Sequence, residues 1–296
     1  MDVLMTAKKL KIGNRYIGDG EPLYLIAEIG INHNGDMQIA KKLIDATWAT
    51  GWDCAKFQKR TPDICVPENQ KNVIRQTPWG SMTYLEYKKK IEFEKQEYDY
   101  IDKYCREKPL DWAASVWDIP SLEFIMQFDV PFIKIASAKM TDYELIKAST
   151  QFGKPLFIST GMSTLDEIDA TVEILEKYAI GGYVLFHTNS TYPAKLDELN
   201  LQMITTLKER YNCIVGYSGH EYELGPAMIA PAFGASVIER HITLDHTMWG
   251  TDQAASLEIR GMDALEKRIR SVKYIVGDGI KTITDDEKKV RDKLRG

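Results

Sequence analysis

The 296 residues carry 38 basic and 43 acidic side chains, a formal charge of −5, with 44% hydrophobic and 27% charged residues. That composition belongs to a folded globular chain and excludes a wholly disordered one. Mild acidity without a basic block excludes a dedicated nucleic-acid partner, though not small acidic ligands, which respond to local charge.

Residues 1–20 read as an N-terminal extension, without an apolar stretch long enough for a signal peptide. Short apolar runs bounded by polar loops then recur: YLIAEI (24–29), CAKFQ (54–58), DWAAS (111–115), FIKIAS (132–137), LFIST (156–160), YVLFHT (183–188), IVGYS (214–218) and SVIERHI (236–242). Helix-period segments lie between most of them. MQIAKKLIDATWAT spaces Ile39, Leu43, Ile44 and Trp48 along one face. STLDEIDATVEILEKYA repeats the pattern, with Ser163 expected as N-cap and Asp166 and Glu167 in its first turn. PSLEFIMQF, YELIKASTQFG and LGPAMIAPAFGA follow suit. Alternating strands and helices imply a parallel sheet, and eight units in under 300 residues fit a single-domain (β/α)8 TIM barrel over residues 1–296. No Gly-x-Gly-x-x-Gly follows the first strand, against a dinucleotide fold. Residues 59–110 exceed a minimal crossover and are expected to hold a lid-like loop followed by one helix. The charged tail 280–296 is expected as a solvated terminal helix.

The run AMIAPAFGASVI is broken by Pro and Gly and falls short of the ~18–20 apolar residues that span a bilayer, so no membrane association is expected. Cys54, Cys65, Cys105 and Cys213 are scattered without a CxxC pair and read as reduced thiols of a cytoplasmic protein.

In such a barrel the active site lies at the C-terminal ends of the strands. Those ends collect Glu28, Lys56 with Gln58, Ser115, Lys134 with Ser137, Ser159, Ser218 with His220, and Glu239 with His241. A strand-end serine is otherwise a helix cap. A lysine inside an apolar strand is costly to bury unless paired. Lys56 and Lys134 with nearby hydroxyls therefore suit a dianionic phosphate. Glu239 and His241, two apart, share a strand face, with Arg240 turned away. His220 follows the adjacent strand, within reach of His241. The two imidazoles suit a divalent first-row metal completed by water or substrate oxygens; the alternative is a pair of hydrogen-bonded core histidines. Glu28 reads either as a general acid/base at the mouth or as an internal ion-pair partner of a lysine. His33, in an Asn-His-Asn-Gly turn, reads as a loop-shaping residue, and Tyr192-Pro193 as an apolar wall with a hydroxyl tip.

Taken in order, IAEIGINHNGD, AKFQ, KIAS, GKPLFISTGMSTLDEI, TNSTYPA, IVGYSGHE and VIERHITLD resemble the signature segments of the sialic acid synthase (N-acetylneuraminate synthase) family, from about residue 10 to 285. The resemblance implies condensation of phosphoenolpyruvate with an open-chain aldose such as N-acetylmannosamine, with release of phosphate. It implies Mn²⁺ or Mg²⁺ on His220 and His241, and Glu28 as the catalytic carboxylate. Phosphoenolpyruvate would be bound by Lys56, Ser115, Lys134, Ser137, Ser159 and Ser218. Gln58, Tyr192 and Asp252 would stand near the substrates, and a homodimer is expected. Two departures bear on the sugar: many members have Ser-Gly-Glu where this sequence reads Ser137-Ala138-Lys139, and bacterial members usually continue into an antifreeze-like (SAF) domain not found in these 296 residues. An acidic or phosphorylated aldose, as in the Kdo-8-phosphate synthases, is the enzymatic alternative. A catalytically silent sugar-binding barrel or pathway scaffold is the alternative of another class.

Overall fold

In the computed structural model, which describes residues 8–295, the chain opens with an antiparallel hairpin, β1 (Lys9–Ile12) and β2 (Arg15–Gly18). Eight parallel strands follow: β3 (Tyr24–Gly30), β4 (Cys54–Lys59) and, after a second hairpin of β5 (Ile74–Thr77) and β6 (Gly80–Thr83), β7 (Asp111–Val116), β8 (Ile133–Ile135), β9 (Leu156–Ser159), β10 (Tyr183–His187), β11 (Ile214–Gly219) and β12 (Ala235–His241). They pair in chain order, and β12 closes on β3 to complete the barrel. All eight expected strands are present. The described residues include no helix long and apolar enough to cross a membrane.

Strand parity explains how one short sequence builds both a core and a polar mouth. Side chains alternate between the faces of a strand. Tyr24 and Ile26, Phe132, Phe157, Val184 and Phe186, Ile214 and Val237 therefore fill the N-terminal half of the barrel interior. The out-of-phase residues, among them Leu25, Ala27, Ile29, Ala55 and Phe57, pack under the surrounding helices. Along most of the strands the inward positions change from apolar to polar, as in Tyr24, Ile26 and Glu28 of β3.

Several local expectations need correction. Residues 9–18 are more than an extension: Ile12 and Ile17 are fully buried among the inward residues at the strand starts, so the hairpin floors the barrel. Residues 1–7 of that expected extension lie outside the described residues. Thr164, not Ser163, caps the helix Leu165–Tyr178, because its hydroxyl accepts from the Glu167 amide while Glu167 bonds back to the Thr164 amide. The 59–110 connection holds two helices, Tyr84–Ile91 and Lys95–Glu107, beyond the β5–β6 hairpin. The segment at 224–235 is α-helical only over Gly225–Ile229 and continues as a 3₁₀ turn, since Pro231 has no N–H to extend an α-helix. The tail forms an exposed helix, Asp285–Arg295, as expected.

Candidate active site

The inward polar residues at the strand ends meet in one buried cluster. Register sets Glu28 level with Lys56 on one side and His241 on the other, Gln58 beside Ser115, Ser115 beside Lys134, and Ser218 beside Glu239. Lys56 donates to Ser115 (2.9 Å) and forms ion pairs with Glu28 and, at 3.6 Å, with Glu239. Lys134 donates to Ser159 and stands 3.9 Å from the other Glu239 oxygen, which also accepts from Ser218 at 3.1 Å. Gln58 donates to Glu28 at 2.9 Å.

Glu28, Lys56, Lys134 and Glu239 are each at most 6% exposed, so their charges interact with little screening. Burial pulls the Lys56 ammonium down, but Glu239 and Glu28 outweigh it and hold the pKa above the usual lysine value. For Lys134 burial wins, aided by repulsion from Lys56 and opposed by Glu239, and its pKa falls to about 8. Glu239 is held down by Lys134 and Lys56 against the desolvation that would raise it. Of the two sequence readings of Glu28, the internal ion pair is realised, and it sits at the mouth.

Glu239 is the residue whose weight sequence reasoning missed. The strand-end reading places it beside His241 but gives it no role, whereas in the fold it touches both lysines. Its parity with His241 was the available signal. Lys59 supplies the contrast: one residue out of phase with Gln58, it points outward and ties Glu92 (3.2 Å) and the Phe93 carbonyl (2.7 Å).

The cluster opens onto the loops after β8, β9 and β10. Ser137 lies in a 3₁₀ turn, Ser137–Lys139, beyond the shortened β8. A methyl group on Gly161 would fall 2.8 Å from Ser137 Oγ and 2.3 Å from Ser190 Oγ. A bare backbone therefore passes between two hydroxyls, and Ser190 Oγ is buried without a partner. Gly161 and Ser190 were not foreseen, because parity does not extend into loops. Lys139 is engaged by Asp142 at 3.0 Å.

On the opposite wall His220 and His241 stand with ring centroids 5.5 Å apart. His220 Nδ1 donates to the Asn189 carbonyl (2.5 Å), and its Nε2 accepts from the Tyr192 hydroxyl (2.9 Å). Burial, reinforced by His241, lowers the His220 pKa to about 3, leaving a neutral imidazole. His241 Nδ1 is buried without a partner. A neutral imidazole whose Nε2 lone pair is held only by the Tyr192 hydroxyl, beside a second imidazole with an unused nitrogen, fits divalent-ion binding once an ion takes the place of that hydroxyl. Among the described residues no group of three or more His, Cys, Asp or Glu could hold a metal, so water or substrate oxygens would have to complete the shell. Tyr192 stacks on His220 at the exposed side of the mouth, and Asp252 lies near enough to act on the charge of Tyr192 and Lys88. His33 stacks on Phe93 and accepts from the Gly35 amide, shaping its turn as expected. His187 and His246 each bond a backbone carbonyl. All four cysteines are free thiols.

Comparison with known proteins agrees with the motif resemblance. The NeuB family model matches residues 43–281. The N-acetylneuraminate-9-phosphate synthase of Drosophila melanogaster is 37% identical over 86% of this chain and 68% of its own length. The human enzyme of the same name is 34% identical over 95% of this chain and 78% of its own. The crystal structure of N-acetylneuraminic acid (sialic acid) synthetase from Leptospira borgpetersenii, in complex with citrate, aligns with a TM-score of 0.87 at 29% identity, covering 98% of both chains. The chain therefore belongs to the NeuB family.

Proposed function

We propose that this chain condenses phosphoenolpyruvate with an open-chain aldose to give a sialic acid-like nonulosonic acid and inorganic phosphate, acting as a carbon–carbon bond-forming transferase. The observation that carries this reading is the buried cluster of Glu28, Lys56, Lys134 and Glu239, set between hydroxyls on one wall and two histidines on the other. The names of the synthase relatives support the reaction class.

Lys56, Lys134, Ser115, Ser137, Ser159 and Ser218 bind phosphoenolpyruvate in this reading. A dianionic phosphate at Lys134 would raise that lysine's depressed pKa, so binding restores a full cation. Glu28, held by Gln58 and Lys56, positions the acceptor and handles the proton as carbon 3 of phosphoenolpyruvate attacks the aldehyde. Water adds at carbon 2, and the tetrahedral intermediate expels phosphate. Tyr192 and Asp252 face the acceptor. His220 and His241 would hold Mn²⁺ or Mg²⁺, which when bound polarises a carbonyl oxygen. The protein is expected to act in the cytoplasm as a homodimer.

The test is direct. Protein supplied with Mn²⁺, phosphoenolpyruvate and a panel of aldoses should release phosphate and form a 3-deoxy-ulosonic acid, and EDTA should stop it. Failure with every hexosamine, pentose and phosphosugar would favour a silent sugar-binding barrel.

A further inference from the structure

Arg60, the first residue after β4, is a half-buried cation without a carboxylate of its own. Among the described residues its guanidinium forms no ion pair. The group lies 3.9 Å over the Trp117 ring, which attracts it as a cation–π partner, while its backbone amide donates to Glu92 at 3.0 Å. Its side-chain hydrogen bond goes to a neutral acceptor, Oε1 of Gln58 two residues back. A charge so placed is costly to desolvate, and what it gains is control of one amide.

The two ends of that amide are not equivalent. A carboxylate only accepts hydrogen bonds and a guanidinium only donates them. One orientation of Gln58 therefore serves both neighbours: its nitrogen donates to Glu28 Oε1 at 2.9 Å, and its oxygen accepts from Arg60. The other Glu28 oxygen faces Lys56, so among the described residues Oε1 has Gln58 as its donor. Gly30 leaves room for the bond, since a methyl there would fall 3.1 Å from Gln58 Nε2 and 3.2 Å from Glu28 Oε1. Half a turn of the amide would set two acceptors against each other at Glu28 and two donors against each other at Arg60. Without the guanidinium only the first of those clashes would oppose the turn, and the amide would be free to leave the carboxylate.

We propose that Arg60 is a positioning residue for the condensation: through Gln58 it locks a hydrogen-bond donor onto Glu28 and so fixes that carboxylate in its working geometry. Arg60 acts through its neighbour and needs no contact with substrate. The proposal rests on the reading of Glu28 as the catalytic carboxylate.

Two measurements on the full chain test it. In turnover with Mn²⁺, Arg60→Met should lower kcat roughly tenfold or more, with unchanged far-ultraviolet circular dichroism. The KM for phosphoenolpyruvate should stay within about twofold, because Lys56 and Lys134 keep their partners. Arg60→Lys returns a donor to Gln58 and should recover at least a threefold part of the loss. Gln58→Leu should cost as much as Arg60→Met, and the double variant no more than Gln58→Leu alone, as coupled residues require. The second measurement is independent of the reaction. With glutamine side chains labelled with ¹⁵N, the Gln58 amide signal is identified by its loss in Gln58→Leu. Its proton toward Glu28 should exchange with solvent at least tenfold more slowly than those of the exposed Gln96, and Arg60→Met should remove that protection. Protection unchanged in Arg60→Met, a kcat within twofold of wild type, or losses that simply multiply in the double variant would overturn the proposal. A wild type that condenses nothing would remove the synthase reading, and the amide signal alone would then decide whether Arg60 locks Gln58 onto Glu28.

Discussion

Replacing Arg240 with methionine isolates the charge that holds the histidine wall in place. Arg240 lies between Glu239 and His241 on β12 and, out of phase with both, turns outward with 0% exposure. One guanidinium nitrogen donates to Glu221 Oε1 and to the Glu223 carbonyl, each at 3.0 Å, and the other donates to the Glu221 carbonyl. The Tyr217 hydroxyl donates to the second Glu221 oxygen at 2.9 Å. Removing the cation strands a fully buried carboxylate, which in proteins costs about 3–5 kcal/mol. At about 2.1 cal/mol/K of unfolding entropy per residue, a 296-residue chain falls by about 1.6 °C per kcal/mol, so Tm should drop by ~5–8 °C. The double variant Arg240→Met/Glu221→Gln removes both charges and should recover more than half of that loss, the expected sign of coupled neighbours. Lys267→Met serves as control: its 2.8 Å pair with Asp263 is solvent-exposed and is worth about 0–1 kcal/mol. Melting curves at pH 7 by circular dichroism read these three and Glu221→Gln alone. A drop under ~2 °C for Arg240→Met, or a double variant as unstable as the two single changes added, would refute the assignment of Glu221 as a carboxylate dependent on Arg240.

Three further outcomes follow from the site. Lys134, at about pH 8, is a cation below that value and neutral above it, so the KM for phosphoenolpyruvate should rise as pH climbs through 8; a flat profile from pH 7 to 9 would show that this ammonium does not bind the substrate. Gly161→Ala places a methyl on Ser137 and Ser190 and should raise that KM roughly tenfold or more, read by steady-state phosphate release, while an unchanged KM would remove the loop from the phosphate site. His241→Ala should abolish Mn²⁺-stimulated turnover and leave the circular dichroism spectrum intact, and turnover equal to wild type would exclude the histidine pair as the metal site.

The fold was legible because a parallel barrel imposes a simple code. Strands buried on both faces read as short apolar runs at even spacing, and the helices between them keep their own period. What failed lay outside that code. The β1–β2 hairpin offers no continuous apolar run: Ile12 and Ile17 are buried while their neighbours Lys11 and Tyr16 face water. After the β5–β6 hairpin the 59–110 connection holds two helices and not one because Glu92 and Phe93 leave helical geometry to meet Lys59, a long-range contact that no local pattern contains. Thr164 outcompetes Ser163 because only Thr164 has a glutamate at the reciprocal position of a capping box.

The site was legible to the same depth. Residues on strands could be placed by parity, so Glu28, Lys56, Gln58, Ser115, Lys134, Ser159, Ser218 and His241 meet where the strand-end reading puts them. Parity does not say which buried charges neutralise which. The strand ends offer two lysines suited to a phosphate and one candidate partner, Glu28, yet burying two ammonium groups is too costly without a second carboxylate. Glu239 supplies it beside Glu28. In the proposed reaction an incoming dianion would therefore meet a site whose charges already cancel while Lys134 is protonated. Above about pH 8, where burial and Lys56 strip that proton, binding would have to be accompanied by proton uptake at Lys134, and the two would become one event.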